Sequence, residues 1–350
     1  MCLFEFTPEK EAPMRRSRFL TPVVAAIVVM AAAGPVAAQT QTAPGWALDR
    51  IDQAALPLDG TYTTGSEGAG VNAYVIDTGI NTGLADFGGR ASVAYDVFGG
   101  NGQDCASSGS YHGTGMASMV GGATYGVAKQ VNLLSVKAEQ CGVGPVEANY
   151  ITAINWVAAH HQKPAVAVIS SNWPGATYWN GNALSGLTKA VDDLAAAGVF
   201  VAVSAGNITA GDPLAWTKTY AVNNPPANAS QALVVMASDP ADRAVLNLTV
   251  PGTTTAWSTA IGGDIYAPGF GVMMLNGDGT FGAHHGTSFA APMAAGVGAL
   301  YKAAHGDAPS ATVRSWILSH ATAGAVVNNP GGTPGTLTYT PNLLLSTGGL

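Results

Sequence analysis

Short, continuous apolar runs recur along this chain, separated by stretches whose apolar positions fall at helical spacing. The runs at residues 71–76, 131–136, 165–169, 199–203 and 233–236 read as strands. They show no in/out alternation, the pattern of strands buried on both faces of a parallel sheet. Helices are expected at 115–120, 146–161, 183–197 and 288–305, the last opening on Ser288. Alternation of strand and helix predicts an α/β domain with three layers, α/β/α, around a mostly parallel, doubly wound sheet. Ligand sites in such sheets lie at the carboxyl ends of the strands. The Gly- and Pro-rich stretch after Gly324 reads as a closing loop.

One apolar run is of another kind. Met14-Arg15-Arg16-Ser17-Arg18 is basic, residues 19–36 are rich in Ala and Val, and Val36-Ala37-Ala38 supplies small residues before Gln39. That order predicts a signal peptide over 14–38, with 1–13 as an upstream extension. Residues 39–43 are expected as a short linker and 44–346 as one domain. Export to the periplasm or the medium follows, with no membrane attachment after cleavage. It also changes how the cysteines read. With Cys2 removed, Cys105 and Cys141 form an even pair in an oxidising compartment and are expected to be bonded. The closed loop of about 35 residues would stabilise the fold by on the order of 3–4 kcal/mol.

Composition narrows the field. Of 350 residues 47% are apolar and 10% charged, enough apolar side chain for a sizeable core and against disorder. The net charge of −7, with no basic stripe, excludes nucleic acid as the expected partner. A monomer is expected.

Three segments carry chemistry. Tyr74-Val75-Ile76-Asp77-Thr78-Gly79 ends a buried strand on a carboxylate; Tyr111-His112-Gly113-Thr114-Gly115 starts a helix on an imidazole; Gly286-Thr287-Ser288-Phe289-Ala290-Ala291-Pro292 starts another on a hydroxyl. Each has a bland reading: a turn-forming Asp, an incidental His-Gly, an N-cap. Taken together, in the order Asp, His, Ser, they read as a nucleophilic triad. His112 would take the Ser288 proton, and Asp77 would orient and stabilise the imidazolium. Ser204-Ala205-Gly206-Asn207 follows a strand and offers the Asn207 amide, beside the Ser288 N–H, as an oxyanion hole. Pro292 is expected in the first helical turn, where a missing N–H costs nothing. His284 and His285 are rivals for the base but lack a strand-end carboxylate.

With these segments the chain resembles the subtilisin-like serine proteases (subtilases, peptidase S8 type), in particular the proteinase K and aqualysin subgroup. Gly45-Trp46-Ala47-Leu48-Asp49-Arg50-Ile51-Asp52-Gln53, Asn101-Gly102-Gln103-Asp104-Cys105 and Thr124-Tyr125-Gly126-Val127-Ala128-Lys129 extend the likeness over nearly all of 44–346. The resemblance implies a subtilisin-like fold and a secreted serine endopeptidase acting on polypeptides through an acyl-enzyme on Ser288. Cys105 and Cys141 fall where aqualysin-like enzymes form one disulfide. Structural calcium is implied as well, at Asp49, Asp52, Gln53 and Asp59 and at a second site anchored on Asp264. No catalytic cofactor is implied. Substrate would lie along Ser170, Trp173, Gly144 and Gly206.

Four departures bear on these expectations. The family's N-terminal prodomain has no evident counterpart. Gly115 stands where a second His is usual. Ser170-Ser171-Asn172-Trp173-Pro174 replaces the Ser-Leu-Gly-Gly strand that pairs with substrate, and Trp173 is expected to narrow the first specificity pocket. Pro145 falls near a usual Gly of the opposing strand and cannot donate to a ladder. They motivate two alternatives to the endopeptidase: an impaired or binding-only relative, and a triad hydrolase with a narrow or ester substrate.

Overall fold

The computed structural model describes residues 38–105, 111–173, 185–213, 215–336 and 339–350, the side chains of Ser185 and Trp216 apart. The expected extension, and the expected leader up to residue 37, lie outside the described residues. So does Pro174. The described residues belong to one compact unit, Ala37–Leu350.

Among the described residues nine strands build the central sheet: β1 (Asn72–Asp77), β2 (Ala91–Asp96), β3 (Asn132–Lys137), β4 (Ala165–Ile169), β5 (Phe200–Ser204), β6 (Leu233–Ser238), β7 (Ile265–Pro268), β8 (Thr322–Ala323) and β9 (Leu343–Leu344). Their order across the sheet is β8-β9-β7-β6-β5-β4-β1-β3-β2, parallel throughout except for the β8–β9 pair. The chain runs outward from β1 to β2 and β3, then returns to lay β4 on the other side of β1. Strand order therefore reverses beside Asp77, the last residue of β1.

The unbroken apolar runs have a direct cause. Successive side chains of a strand point to opposite faces, and here both faces are covered. Val75, Val166, Val168, Phe200, Ala202, Leu233 and Val235 pack into one core with α1 (His112–Gly121), α4 (Thr287–His305) and α5 (Ser310–His320). Tyr74, Ile76, Ala165, Ala167, Ile169, Val201 and Val203 pack into the other with α2 (Glu147–His160) and α3 (Ser185–Ala196). This is the three-layer arrangement that the alternation predicts.

The margins differ from expectation. Gln39–Thr42, expected as a linker, is a strand paired antiparallel with Thr61–Thr64. Its polar side chains hide a backbone role, for the register is held by main-chain bonds and by a Thr40–Thr63 hydroxyl contact of 3.0 Å. The folded unit also extends past 346, since Thr347 N–H donates to the Ile51 carbonyl and Gly65 N–H to that of Leu350. In the expected closing loop, Leu343–Leu344 adds β9 to the sheet. The apolar hairpin Phe270–Leu275 with Phe281–His285 packs against α1.

Candidate active site

The three chemical residues arrive at one end of the sheet because each sits at the end of an element. Asp77 closes β1 and is 1% exposed. Its two carboxylate oxygens lie 2.8 and 2.9 Å from Nδ1 of His112, the first residue of α1. α1 can reach so near β1 because residue 113 is glycine: a Cβ there would fall 2.2 Å from the Gly79 carbonyl oxygen. Around this contact Asp104 acts as a clamp. One carboxylate oxygen accepts the Thr78 hydroxyl at 2.7 Å, the other the Thr114 N–H at 2.9 Å and its hydroxyl at 2.5 Å. The strand end and the helix start are thus held by one carboxylate, and Thr78 Oγ1 in turn accepts the Gly113 N–H at 2.9 Å.

The imidazole itself is 28% exposed. Burial disfavours its charged form, but the charge and hydrogen bond of Asp77 outweigh that, with Glu139 and Asp104 adding to them. The result is a His112 pushed up to about 8. His284 and His285, the rival bases, lie on the hairpin instead. His284 Nε2 meets Asn276 Oδ1 at 2.9 Å, and His285 Nδ1 accepts the Gly271 N–H at 3.0 Å. Burial pushes both rings down. Gly115, standing in place of a second His, has a packing reason: a Cβ there would lie 2.3 Å from Sδ of Met274 on the hairpin.

Ser288 is the second residue of α4 and is 7% exposed. Its N–H belongs to the first turn, whose donors have no intrahelical partner. Its hydroxyl donates to the Ser170 carbonyl at 3.1 Å rather than to His112. Pro292 corrects an expectation here. It is the sixth helical residue, and the N–H it lacks is the one that would bond the Ser288 carbonyl. The Ser170 hydroxyl donates to that carbonyl instead, at 3.1 Å. Ser170 is therefore bonded twice to Ser288, once in each direction.

Asn207 follows β5 and is oriented by Thr287, whose N–H and hydroxyl both reach Oδ1, at 2.9 and 3.1 Å. With its oxygen so held, the Asn207 Nδ2 group is the end left to face a reacting carbonyl. Gly206, at φ +110°, makes the turn between β5 and Asn207; a Cβ there would sit 2.8 Å from Cγ of buried Asn224.

The substrate-side residues are rearranged. Past the end of β4, the side chains of residues 170–173 alternate in the partners they meet. Ser171 and Trp173 both turn toward Tyr150 of α2, the hydroxyls meeting at 2.7 Å and the rings edge-on at 4.8 Å. Trp173 thus packs on the second core, and its main-chain N–H is given to the Pro225 carbonyl at 2.9 Å. Asn172 faces the other way, a residue that sequence reasoning passed over. Gly144 bridges back to Gln140 across a tight turn, so this stretch is no extended strand. Cys105 and Cys141 are bonded, Cα–Cα 5.3 Å, which ties the loop after β3 to the one before α1.

The expected cation ligands divide. Asp264 gives one oxygen to Arg314 at 2.6 Å and the other to the Val234 N–H at 2.8 Å. Both oxygens of Asp264 therefore have protein partners, and a cation there would have to share its carboxylate with the Arg314 guanidinium. At the other site Asp49 accepts the Gly60 N–H and Gln53 Oε1 the Asp59 N–H. Asp52 keeps one buried oxygen, Oδ1, with no hydrogen-bond partner. Burial, and then the carboxylates of Asp59 and Asp49, push Asp52 up to about 6 against the Thr63 N–H bond. An orphaned, buried carboxylate oxygen among further carboxylates fits a hard cation. Among the described residues no three His, Cys, Asp or Glu side chains converge on one metal position, so Gln53 and main-chain carbonyls would have to complete the set.

A three-layer α/β domain with a carboxylate, an imidazole and a helix-terminal serine at its switch point belongs to the serine hydrolases of the subtilisin type. Comparison bears this out: residues 68–335 match the model of the subtilase family, and the chain belongs to that family. It is 35% identical to the alkaline serine exoprotease A of Vibrio alginolyticus over 83% of this chain and 49% of that one. It is 36% identical to the extracellular serine proteinase of Thermus sp. (strain Rt41A) over 88% and 67%, and 34% identical to proteinase T of Parengyodontium album over 76% and 82%. The chain thus spans about half the length of the Vibrio relative and about two thirds of the Thermus one. A crystal structure of a cold-adapted subtilisin-like serine proteinase superposes with a TM-score of 0.70 at 31% identity, covering 86% of this chain and 97% of the other.

Proposed function

We propose that this chain is a secreted serine endopeptidase that hydrolyses peptide bonds through an acyl-enzyme on Ser288. The observation that carries the reading is the Asp77–His112 pair, with Nδ1 held by both carboxylate oxygens. That contact fixes the tautomer with Nε2 unprotonated and free to act as base. Ser288 Oγ leaves the Ser170 carbonyl by rotation about χ1, gives its proton to Nε2 and adds to the scissile carbonyl. The oxyanion is received by the Ser288 N–H and Asn207 Nδ2. His112 then protonates the leaving amine, and a water reverses the sequence to free the acid. A hydroxyl hydrogen-bonded elsewhere at rest is compatible with this, since such contacts tighten only when substrate is bound.

Labelling by a phosphonylating reagent together with casein hydrolysis tests the reading. Wild type is expected to do both and Ser288→Ala neither; an unlabelled wild type would refute it. Secretion is supported by the leader pattern and by the extracellular designation of the Thermus relative. Among the described residues no helix is long and apolar enough to cross a membrane. Calcium would be held by Asp52 with Asp49, Gln53 and Asp59, where it would neutralise the carboxylates and tie residues 49–53 to 59–63. A chelator is then expected to lower the melting temperature of wild type and leave that of Asp52→Asn unmoved. Equal responses would remove the site.

The narrow-substrate alternative is favoured by one observation, the anchoring of residues 170–173, and is taken up next.

A further inference from the structure

Residues 170–173 and 204–207 continue the neighbouring parallel strands β4 and β5 as two walls that flank the start of α4. Ser170 touches Ser288 from one wall, and Asn207 touches Thr287 from the other. Asn172 joins the two walls. Its Nδ2 donates to the Ser204 carbonyl at 2.9 Å and to the Asn224 carbonyl at 3.1 Å, and its Oδ1 accepts the Ser204 hydroxyl at 2.7 Å. Ser204 and Asn224 are buried, at 0% and 1% exposure.

We infer that the side chain of an acyl group on Ser288 is directed between these two walls, and that Asn172 fills the space and restricts the substrate to glycine or alanine on the acyl side of the scissile bond. The inference rests on the proposed hydrolase reading and adds the specificity of the same site. Three features make the closure hard to open. Both N–H groups of the carboxamide are used, so moving it strands a buried carbonyl on each of Ser204 and Asn224 and a buried hydroxyl. The wall itself is pinned at each residue: Ser170 to Ser288, Ser171 to Tyr150, Trp173 to Pro225. Asn224 is in turn fixed, its Nδ2 donating to the carbonyls of Lys218 and Tyr220 at 2.9 and 3.1 Å. A large side chain would have to break these bonds without replacing them, which is how a site excludes a competitor.

The test compares rates of covalent reaction with the diphenyl phosphonate analogues of alanine and phenylalanine, with diisopropyl fluorophosphate as a reagent that carries no such side chain. Wild type is expected to react with the alanine analogue at least about 100-fold faster, the scale on which pocket size discriminates. In Asn172→Gly or Asn172→Ala the ratio should fall about tenfold or more, the fluorophosphate reaction serving to show that Ser288 is still reactive. Should both variants fail to fold, the wild-type ratio decides alone. Equal rates, a preference for phenylalanine, or no reaction with either analogue despite fluorophosphate labelling would overturn the inference. No labelling by fluorophosphate would overturn the hydrolase reading, and this with it.

Discussion

The triad side of the site and its substrate side are built from the same sheet end, yet the chain treats them differently. Around Asp77 and His112, glycine and short hydroxyl residues keep the backbones close, and Asp104 locks the strand to the helix. Around Ser170 to Trp173 the positions that resemble a substrate-pairing strand carry side chains with partners inside the protein. The Asp77–His112 pair is held by its neighbours, while the wall beside Ser288 is filled with its own side chains. Catalytic groups must meet within hydrogen-bonding reach and tolerate little change, whereas the surface that selects substrate can be filled at no loss to the reaction itself.

Perturbing each side separately should break or sharpen that contrast. The largest effect is expected from Ser288→Ala, a loss in kcat of about 10⁶, the magnitude being that measured on subtilisin, a member of the same family. Asn207→Ala should lower kcat by roughly 10²–10³ with little change in KM, again the scale known for subtilisin. Both are read by initial rates on one peptide substrate, and a KM effect at Asn207 would move it to the recognition side.

The pH profile comes next. An ordinary histidine titrates at about 6.5; the Asp77 contact moves the His112 midpoint to about 8. kcat/KM should rise about tenfold per pH unit below that midpoint and level off above it. Stability should move oppositely. A folded-state value raised above 6.5 means that the protonated ring stabilises fully below that pH, and that the contribution is lost as pH rises through about 8. Denaturant midpoints across this window would check the sign, and a rise with pH would contradict it.

The smallest effect is expected from Asp104→Asn. Asn keeps one acceptor oxygen for the Thr114 N–H and hydroxyl, gives up the one that takes the Thr78 hydroxyl, and loses the charge that helps raise His112, so the activity midpoint should shift a few tenths of a pH unit downward while kcat on the plateau stays within about twofold. A merely structural Asp104 would change stability and leave the midpoint in place.

Much of this was legible in the residues. Strands β1, β3, β4, β5 and β6 lie within a residue or two of the apolar runs, because burial on both faces writes an unbroken hydrophobic signal. The edge strand β2 reads Ala-Ser-Val-Ala-Tyr-Asp, with Ser92 and Val93 exposed, and gives no such signal. Gln39–Thr42 is four polar residues whose partner is main chain 20 or so positions away, a pairing that no local pattern carries. At the site, Asp77, His112, Ser288 and Asn207 stand at element ends where motif and position coincide. The roles of Asp104 and Asn172 come from contacts across 10 to 52 residues of chain, and so do the partners of Trp173 and Asp264.

By itself the order of residues determined the layers of the fold and the family, and singled out three candidate reacting groups, since each depends on local periodicity or on a short motif at an element end. Tertiary structure alone decided which way each side chain of the substrate wall turns, which carboxylate is left for a cation, and how far His112 is raised. Those depend on distances between segments remote in the chain, where a single partner, a guanidinium at Asp264 or a buried hydroxyl at Asn172, sets what the residue can do.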